Sequence, residues 1–214
     1  MTNHLLTGLL LVAALAVFCW DQYRLYAVRY ELAALQRCTL RDPLTGLANR
    51  AGLARSWEQL AGLRPWVVVV DLDGFKPVND THGHAAGDLV LTAVASRLRS
   101  VHGVAARLGG DEFAALLLDP NPAAASRQLA AAIAAPVRLP SGVVVSVTAS
   151  IGLAPASHAG HAAALADADA AMYRAKTTRA GVVAFDPLRD DHATADPRPL
   201  VRIRDLPRPV GVSR

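Results

Sequence analysis

The chain's 214 residues, 52% of them hydrophobic, suffice for one ordinary hydrophobic core and leave room for a single domain with appendages. The net charge of +4 and pI near 9.5 draw on arginines in the segments that flank that domain, so no nucleic-acid groove is expected. Cys19 and Cys38 would stand about 28 Å apart on one continuous helix, too far to pair within the chain, which agrees with a reducing compartment.

In chain order, Leu5–Trp20 is an uncharged run of 16 residues interrupted only by Thr7 and Gly8. As a helix it measures about 24 Å against a hydrocarbon core of roughly 30 Å, so residues 1–23 read as a single transmembrane anchor. Trp20, Tyr23 and Tyr26 would form an interfacial belt. Arg24, Arg29, Arg37 and Arg41 follow it, whereas Met1–His4 holds no lysine or arginine, so the C-terminal side is expected in the cytoplasm. A cleaved signal peptide is the rival, but the run lacks a basic leader and a small-residue cleavage site. Leu25, Val28, Leu32, Leu35 and Thr39 recur at spacings of three and four. That stripe suits a parallel dimeric stalk over residues 24–41, and an amphipathic helix lying on a surface fits the same spacing.

A helix is expected over Thr45–Leu63, with Leu47, Leu53, Trp57 and Leu60 on one face and Arg64-Pro65 as its stop. Trp66–Val70 is a buried-strand pattern that runs into two aspartates at alternate positions, Asp71 and Asp73. The next helix is expected from about Gly87 to Ser100. Two short apolar strands follow, joined at Gly109-Gly110, where adjacent glycines supply the positive φ of a tight hairpin turn. Ala123–Ala135 reads as a helix, Val143–Leu153 as one alternating strand, Ala162–Lys176 as the last helix and Val182–Phe185 as a closing strand. This order suits an α/β (α+β) domain over residues 42–186, a mixed sheet with helices on its faces. Residues 187–214 are rich in proline and arginine without apolar periodicity and read as a disordered tail.

The chemistry lies in two acidic clusters. Asp111 and Glu112 follow the glycine turn, and Asp71 closes the valine strand. If the strand lies beside the hairpin, Asp71 and Asp111 converge as hard oxygen ligands suited to Mg²⁺ on a nucleoside triphosphate. Gly74 and Lys76 follow at once, offering open backbone and a cation to phosphate. The plain alternative is a solvated turn and unrelated surface acids. His82-Gly83-His84 is too sparse for a zinc site.

Four motifs in compatible order resemble the GGDEF family of bacterial diguanylate cyclases: Asp42–Arg50 (DPLTGLANR), Asp71–Asp88 (DLDGFKPVNDTHGHAAGD), Arg107–Phe113 (RLGGDEF), and Ala149–Gly152 (ASIG) with a later AMYRAK. The resemblance runs from Asp42 to about Phe185. It implies a ferredoxin-like fold related to the palm of nucleotidyl cyclases. It also implies the joining of two GTP molecules into cyclic di-GMP with release of two pyrophosphates. By resemblance, Asp71, Asp111 and the Leu72 carbonyl hold Mg²⁺, with Mn²⁺ as an alternative ion. Asp111, Glu112 and Lys76 serve catalysis, Glu112 at the ribose 3′-hydroxyl or at the metal. Gly74, Phe75, Gly109, Gly110, Lys176 and Arg179 contribute to GTP binding, the last two at the triphosphate. Asn79 and Asp88 are implied to read guanine: a carboxylate accepts from N1–H and the 2-amino group, and an amide addresses O6 or N3. For Asp88 a helix cap after Gly87 is the alternative. Asp42 and Arg50 are expected to fix the stalk to the domain.

Two departures accompany the resemblance. The family places an arginine four residues after the lysine of the last helix, where this chain has Ala180; Arg179, at spacing three, lies on the same helical face. Where product-inhibited members carry Arg-x-x-Asp, this chain reads Ser100-Val101-His102-Gly103, so no product inhibition through that site is expected. One site holds one GTP while the bond joins two, which calls for a homodimer, and the stalk raises the local concentration of the two domains. The expected partners are GTP, a second copy and the inner membrane of a bacterium, with no sensory domain in the chain. The alternative is a non-catalytic GTP-binding or scaffold module.

Overall fold

The computed structural model describes residues 15, 17–26, 40–156 and 160–190 of two compact units, Met1–Thr39 and Leu40–Arg214. In the first unit residues 17–26 are helical, and Phe18, Trp20, Tyr23, Leu25 and Tyr26 are exposed. Among the described residues no helix is long and apolar enough to cross a membrane. Most of the Leu5–Trp20 run and of the 24–41 stalk lies outside the described residues.

The second unit contains α1 (Arg50–Leu60), β1 (Trp66–Asp73), α2 (Phe75–His82), α3 (His84–Leu98), β2 (Gly103–Gly109), β3 (Glu112–Leu117), α4 (Pro122–Ile133), β4 (Val137–Arg138), β5 (Val144–Val145), β6 (Thr148–Pro155), α5 (His161–Thr178) and β7 (Val182–Ala184). The main sheet has the order β2-β3-β1-β6-β7. β1 is antiparallel to both its neighbours and β7 is parallel to β6, so the sheet is mixed, as the alternation of elements implies.

β1 is central because its valines can be buried on both faces. Val68, Val70 and Leu72 join Val90, Val94 and Leu98 of α3 and Ile133 of α4 in one core layer. Val67 and Val69 join Leu53 and Trp57 of α1 and Ala168 and Met172 of α5 in the other. Each fully buried valine contributes about 1.5–3 kcal/mol of transfer free energy, so this strand is a fixed reference from which its polar end projects.

Several boundaries differ from expectation, each for a local reason. The first helix begins at Arg50 rather than Thr45, because the Thr45 N–H and Oγ1 donate to Asp42 Oδ1 at 2.8 and 2.6 Å and Gly46 takes φ 68°. Asn49 then caps the helix, its Oδ1 accepting from the Gly52 N–H at 2.9 Å. The helix expected from about Gly87 begins at His84, and a further helix precedes it: α2 follows β1 after Gly74 at φ 81°, and only Gly83, at φ 80°, separates it from α3. The single strand expected over Val143–Leu153 is two, since β5 pairs with β4 in a separate two-stranded ribbon and β6 enters the main sheet. Asp190, within the expected tail, is buried and paired with Arg174 of α5, and residues 191–214 of that tail lie outside the described residues.

Candidate active site

The polar end of β1 sits between two strands in exact antiparallel register. Asp71 lies opposite Glu112 of β3 on one side and opposite Ser150 of β6 on the other. Directly opposed residues of antiparallel strands share a face, so Asp71, Glu112 and Ser150 lie together on the side covered by α1 and α5. Asp73, two residues along, shares that face, and Ser150 Oγ donates to its two carboxylate oxygens at 3.2 and 3.0 Å.

Lys176 enters from α5. A β-carbon on Gly152 of β6 would stand 2.1 Å from both Ala168 O and Met172 N, so the glycine lets the helix backbone lie directly on the strand. Ala168, Met172 and Lys176 are spaced four apart and form one stripe. The first two are buried against the sheet, and the third reaches beyond it to place Nζ 2.5 Å from Asp71 Oδ1. The Asp71 side chain is only 4% exposed, so this carboxylate is desolvated and held by a cation.

The hairpin between β2 and β3 brings the other acids. Gly109 and Gly110 take φ 150° and 52°, and the Leu72 N–H donates to the Asp111 carbonyl at 3.3 Å, tying the turn to the end of β1. Asp111 thus lies in the turn beside Leu72, and the acid directly opposite Asp71 is Glu112. A residue's N–H and C=O leave an antiparallel strand on the same side, so the Leu72 carbonyl also faces the hairpin.

Arg107 holds this turn from behind. Its Nε and Nη2 donate to the Gly110 carbonyl at 3.0 and 2.7 Å, and its Nη1 lies 3.2 Å from both carboxylate oxygens of Asp42. Burial alone would raise the Asp42 pKa, but the Thr45 hydrogen bonds and the Arg107 charge together hold it below its ordinary value. The Arg99 guanidinium donates to the Thr45 carbonyl and fastens the same entrance loop to the end of α3. Sequence patterns pointed to Asp42 but not to its partner, which is 65 residues away.

The remaining candidate residues lie on α2 and α3 or at the end of α5. Lys76 and Asp88 are exposed, and Asn79 is half-buried against Gly87. The Phe75 side chain belongs to the core, which leaves its backbone as the group it can offer a ligand. Arg179 is exposed at the C-terminus of α5 in the left-handed region, φ 56°. Arg174 was not singled out from sequence. Its Nε and Nη2 bind the two oxygens of Asp190 at 2.5 and 2.8 Å, and Nη2 also donates to the Ala184 carbonyl at 2.8 Å.

Among the described residues no cluster of three His, Cys, Asp or Glu is gathered that would hold a metal with protein ligands alone. The donors nevertheless fit Mg²⁺, which keeps several waters and binds through one or two carboxylates together with substrate phosphates. A buried Asp71 carboxylate already paired with an ammonium, a glutamate opposite it and a nearby carbonyl form such a set.

Comparison with known proteins gives the family of the chain. The family described as "Diguanylate cyclase, GGDEF domain" matches residues 39–181. Diguanylate cyclase TpbB of Pseudomonas aeruginosa (strain UCBPP-PA14) is 41% identical over 166 residues, covering 71% of this chain and 38% of the relative. Diguanylate cyclase DgcN of Escherichia coli (strain K12) is 40% identical over 161 residues, covering 69% and 40%. The chain therefore spans about two fifths of the length of these two relatives. Among solved structures, the coiled coil and GGDEF domain of DgcB from Caulobacter crescentus, in complex with c-di-GMP, superposes with a TM-score of 0.66 at 29% identity, covering 79% of this chain and 97% of that one.

Proposed function

Because the chain belongs to the GGDEF-domain family of diguanylate cyclases, we propose that it condenses two GTP molecules into cyclic di-GMP, releasing two pyrophosphates. The observation that carries this reading is the register that sets Asp71 opposite Glu112, with Lys176 on the Asp71 carboxylate. The reaction is attack by the ribose 3′-hydroxyl of one GTP on the α-phosphate of the other, so phosphate charge must be neutralised and the hydroxyl deprotonated.

Asp71, Asp111 and the Leu72 carbonyl would hold Mg²⁺ or Mn²⁺, which supplies Lewis-acid neutralisation of the phosphates when bound. Glu112 would accept the proton of the 3′-hydroxyl or assist the metal ligands, a role supported by its place opposite Asp71. The open backbone at Gly74, Phe75, Gly109 and Gly110 lets phosphate oxygens approach N–H groups. Lys76, Lys176 and Arg179 supply cations, Lys176 exchanging Asp71 for the triphosphate. Asn79 and Asp88 read the guanine edge. Each domain offers one GTP, so the reaction joins the contents of two facing copies, and residues 24–41 would pair them. Residues 1–23 would anchor the chain in the cytoplasmic membrane with the domain inside the cell, a reading supported by the apolar Leu5–Trp20 run and the arginines that follow it. Ser100-Val101-His102-Gly103 supports the absence of product inhibition through the Arg-x-x-Asp site.

One observation favours a second reading, a GTP-binding module with little turnover. Ala180 occupies the position four residues after Lys176, and Arg179 at spacing three is turned into a left-handed cap. Purified protein incubated with GTP and Mg²⁺ separates the two. Cyclic di-GMP that disappears in Asp111→Ala supports the cyclase, GTP binding without product supports the second reading, and absence of nucleotide binding refutes both.

A further inference from the structure

Gly87 is an unusual residue for its place. It is the fourth residue of α3, in ordinary helical backbone, where glycine is less favourable than alanine. Gly74 and Gly83 have positive φ and nothing within 4 Å of where a β-carbon would stand, so backbone conformation accounts for them. Gly87 is different. A methyl group there would stand 1.9 Å from Asn79 Oδ1, 2.9 Å from Asn79 Cγ and 3.2 Å from Phe75 Cζ.

The neighbouring geometry fixes the Asn79 backbone and leaves its side-chain amide as the group that must yield. Its carbonyl accepts from the Gly83 N–H at 2.9 Å at the end of α2, and Phe75, one turn earlier, is fixed in the core. With its backbone fixed, the Asn79 amide would have to swing off α3 if Gly87 carried a side chain. Asp88, the next residue of α3, is exposed and follows directly on the glycine that the Asn79 amide lies against.

We infer that Gly87 is a specificity-determining positioning residue: its missing side chain lets the Asn79 amide lie against α3 beside Asp88, where the two can read one guanine edge. The inference rests on the proposed reading of Asn79 and Asp88 and adds a residue that touches no substrate.

The test is calorimetric binding of non-hydrolysable GTP and ATP analogues, with Mg²⁺, to the purified full chain and its Gly87→Ala, Asn79→Ala and doubly substituted variants. Gly87→Ala should weaken the guanine analogue by about tenfold and leave the adenine analogue unchanged, the scale of one displaced hydrogen bond. Once Asn79 is alanine, adding Gly87→Ala should change affinity by less than about twofold, because the displaced group is already gone. Alanine favours the helix, so the variant should melt at or above the wild-type temperature. If Gly87→Ala does not fold, the double variant, which lacks the clash, is compared with Asn79→Ala alone. Equal losses from Gly87→Ala in both backgrounds, or wild-type affinity in the single variant, would overturn the inference. If Asn79→Ala itself binds the guanine analogue like wild type, the base-reading assignment fails, and this inference with it.

Discussion

Arg107→Ala is the perturbation whose cost follows most directly from the geometry. The side chain donates twice to the Gly110 carbonyl and lies 3.2 Å from both oxygens of Asp42. Charge-assisted hydrogen bonds contribute about 1.5–3 kcal/mol each, but two of these share one acceptor. The Arg107 and Asp42 side chains are 12% and 17% exposed, which places the pair between a surface bridge and a buried one. A total near 3 kcal/mol follows, or about 9 °C in Tm at roughly 3 °C per kcal/mol for a domain of this size. Amide exchange at Gly110 and Glu112 should accelerate by about 100-fold, because the lost contacts hold the turn. Arg107→Lys should recover little of this, since one ammonium cannot reproduce a planar fork serving two acceptors. Calorimetry and hydrogen exchange on both variants make the test. Wild-type stability and hairpin protection in Arg107→Lys would refute the reasoning.

Three further outcomes are expected. Burial, and then the charge of Arg50, hold the His161 pKa below 6.5, and its Nε2 is buried without a hydrogen-bond partner. A depressed histidine pKa favours the neutral folded form, so stability is present above pH 6.5 and declines as pH falls from there toward the folded value. Tm measured from pH 7.5 to 5 should fall in wild type and less steeply in His161→Phe, whose ring keeps the packing on Trp57, 5.6 Å away. Asp190→Ala leaves the Arg174 guanidinium without its bidentate partner and should cost about 2–4 kcal/mol in urea unfolding, whereas Arg189→Ala, at an exposed pair, should change stability by less than about 0.5 kcal/mol. Lys176→Met removes the cation on Asp71 and should raise the affinity for Mg²⁺ alone, measured by calorimetry, while weakening that for GTP; unchanged Mg²⁺ affinity would show that the lysine does not compete for that carboxylate.

Much of this architecture was legible because it is locally encoded. Four consecutive valines, a double glycine and an alanine-rich stretch write strand, turn and helix into short windows. The helix α2 was not legible: FKPVNDTH contains weak helix formers, and burial of Phe75 and Val78 is what overrides that propensity. Asp71, Asp111 and Glu112 were singled out by type and spacing, and Asn79, Asp88, Lys176 and Arg179 by family resemblance, but neither gives register: the acid opposite Asp71 is Glu112, with Asp111 in the turn. The pairs Arg107–Asp42 and Lys176–Asp71 join residues 65 and 105 positions apart, which no window reports. Asp190 was hidden by its surroundings, because proline and charge dominate residues 187–214 and a single buried ion pair does not alter that composition.

The central claim, that the end of β1 and the glycine hairpin form one metal–nucleotide site, is tested most directly by soaking crystals with Mn²⁺ and a non-hydrolysable GTP analogue and locating the metal by anomalous scattering. The expected result is a peak between the Asp71 carboxylate, the Leu72 carbonyl and the hairpin acids, with Lys176 moved from Asp71 to the triphosphate. Manganese and nucleotide bound elsewhere, with Lys176 still on Asp71, would contradict it.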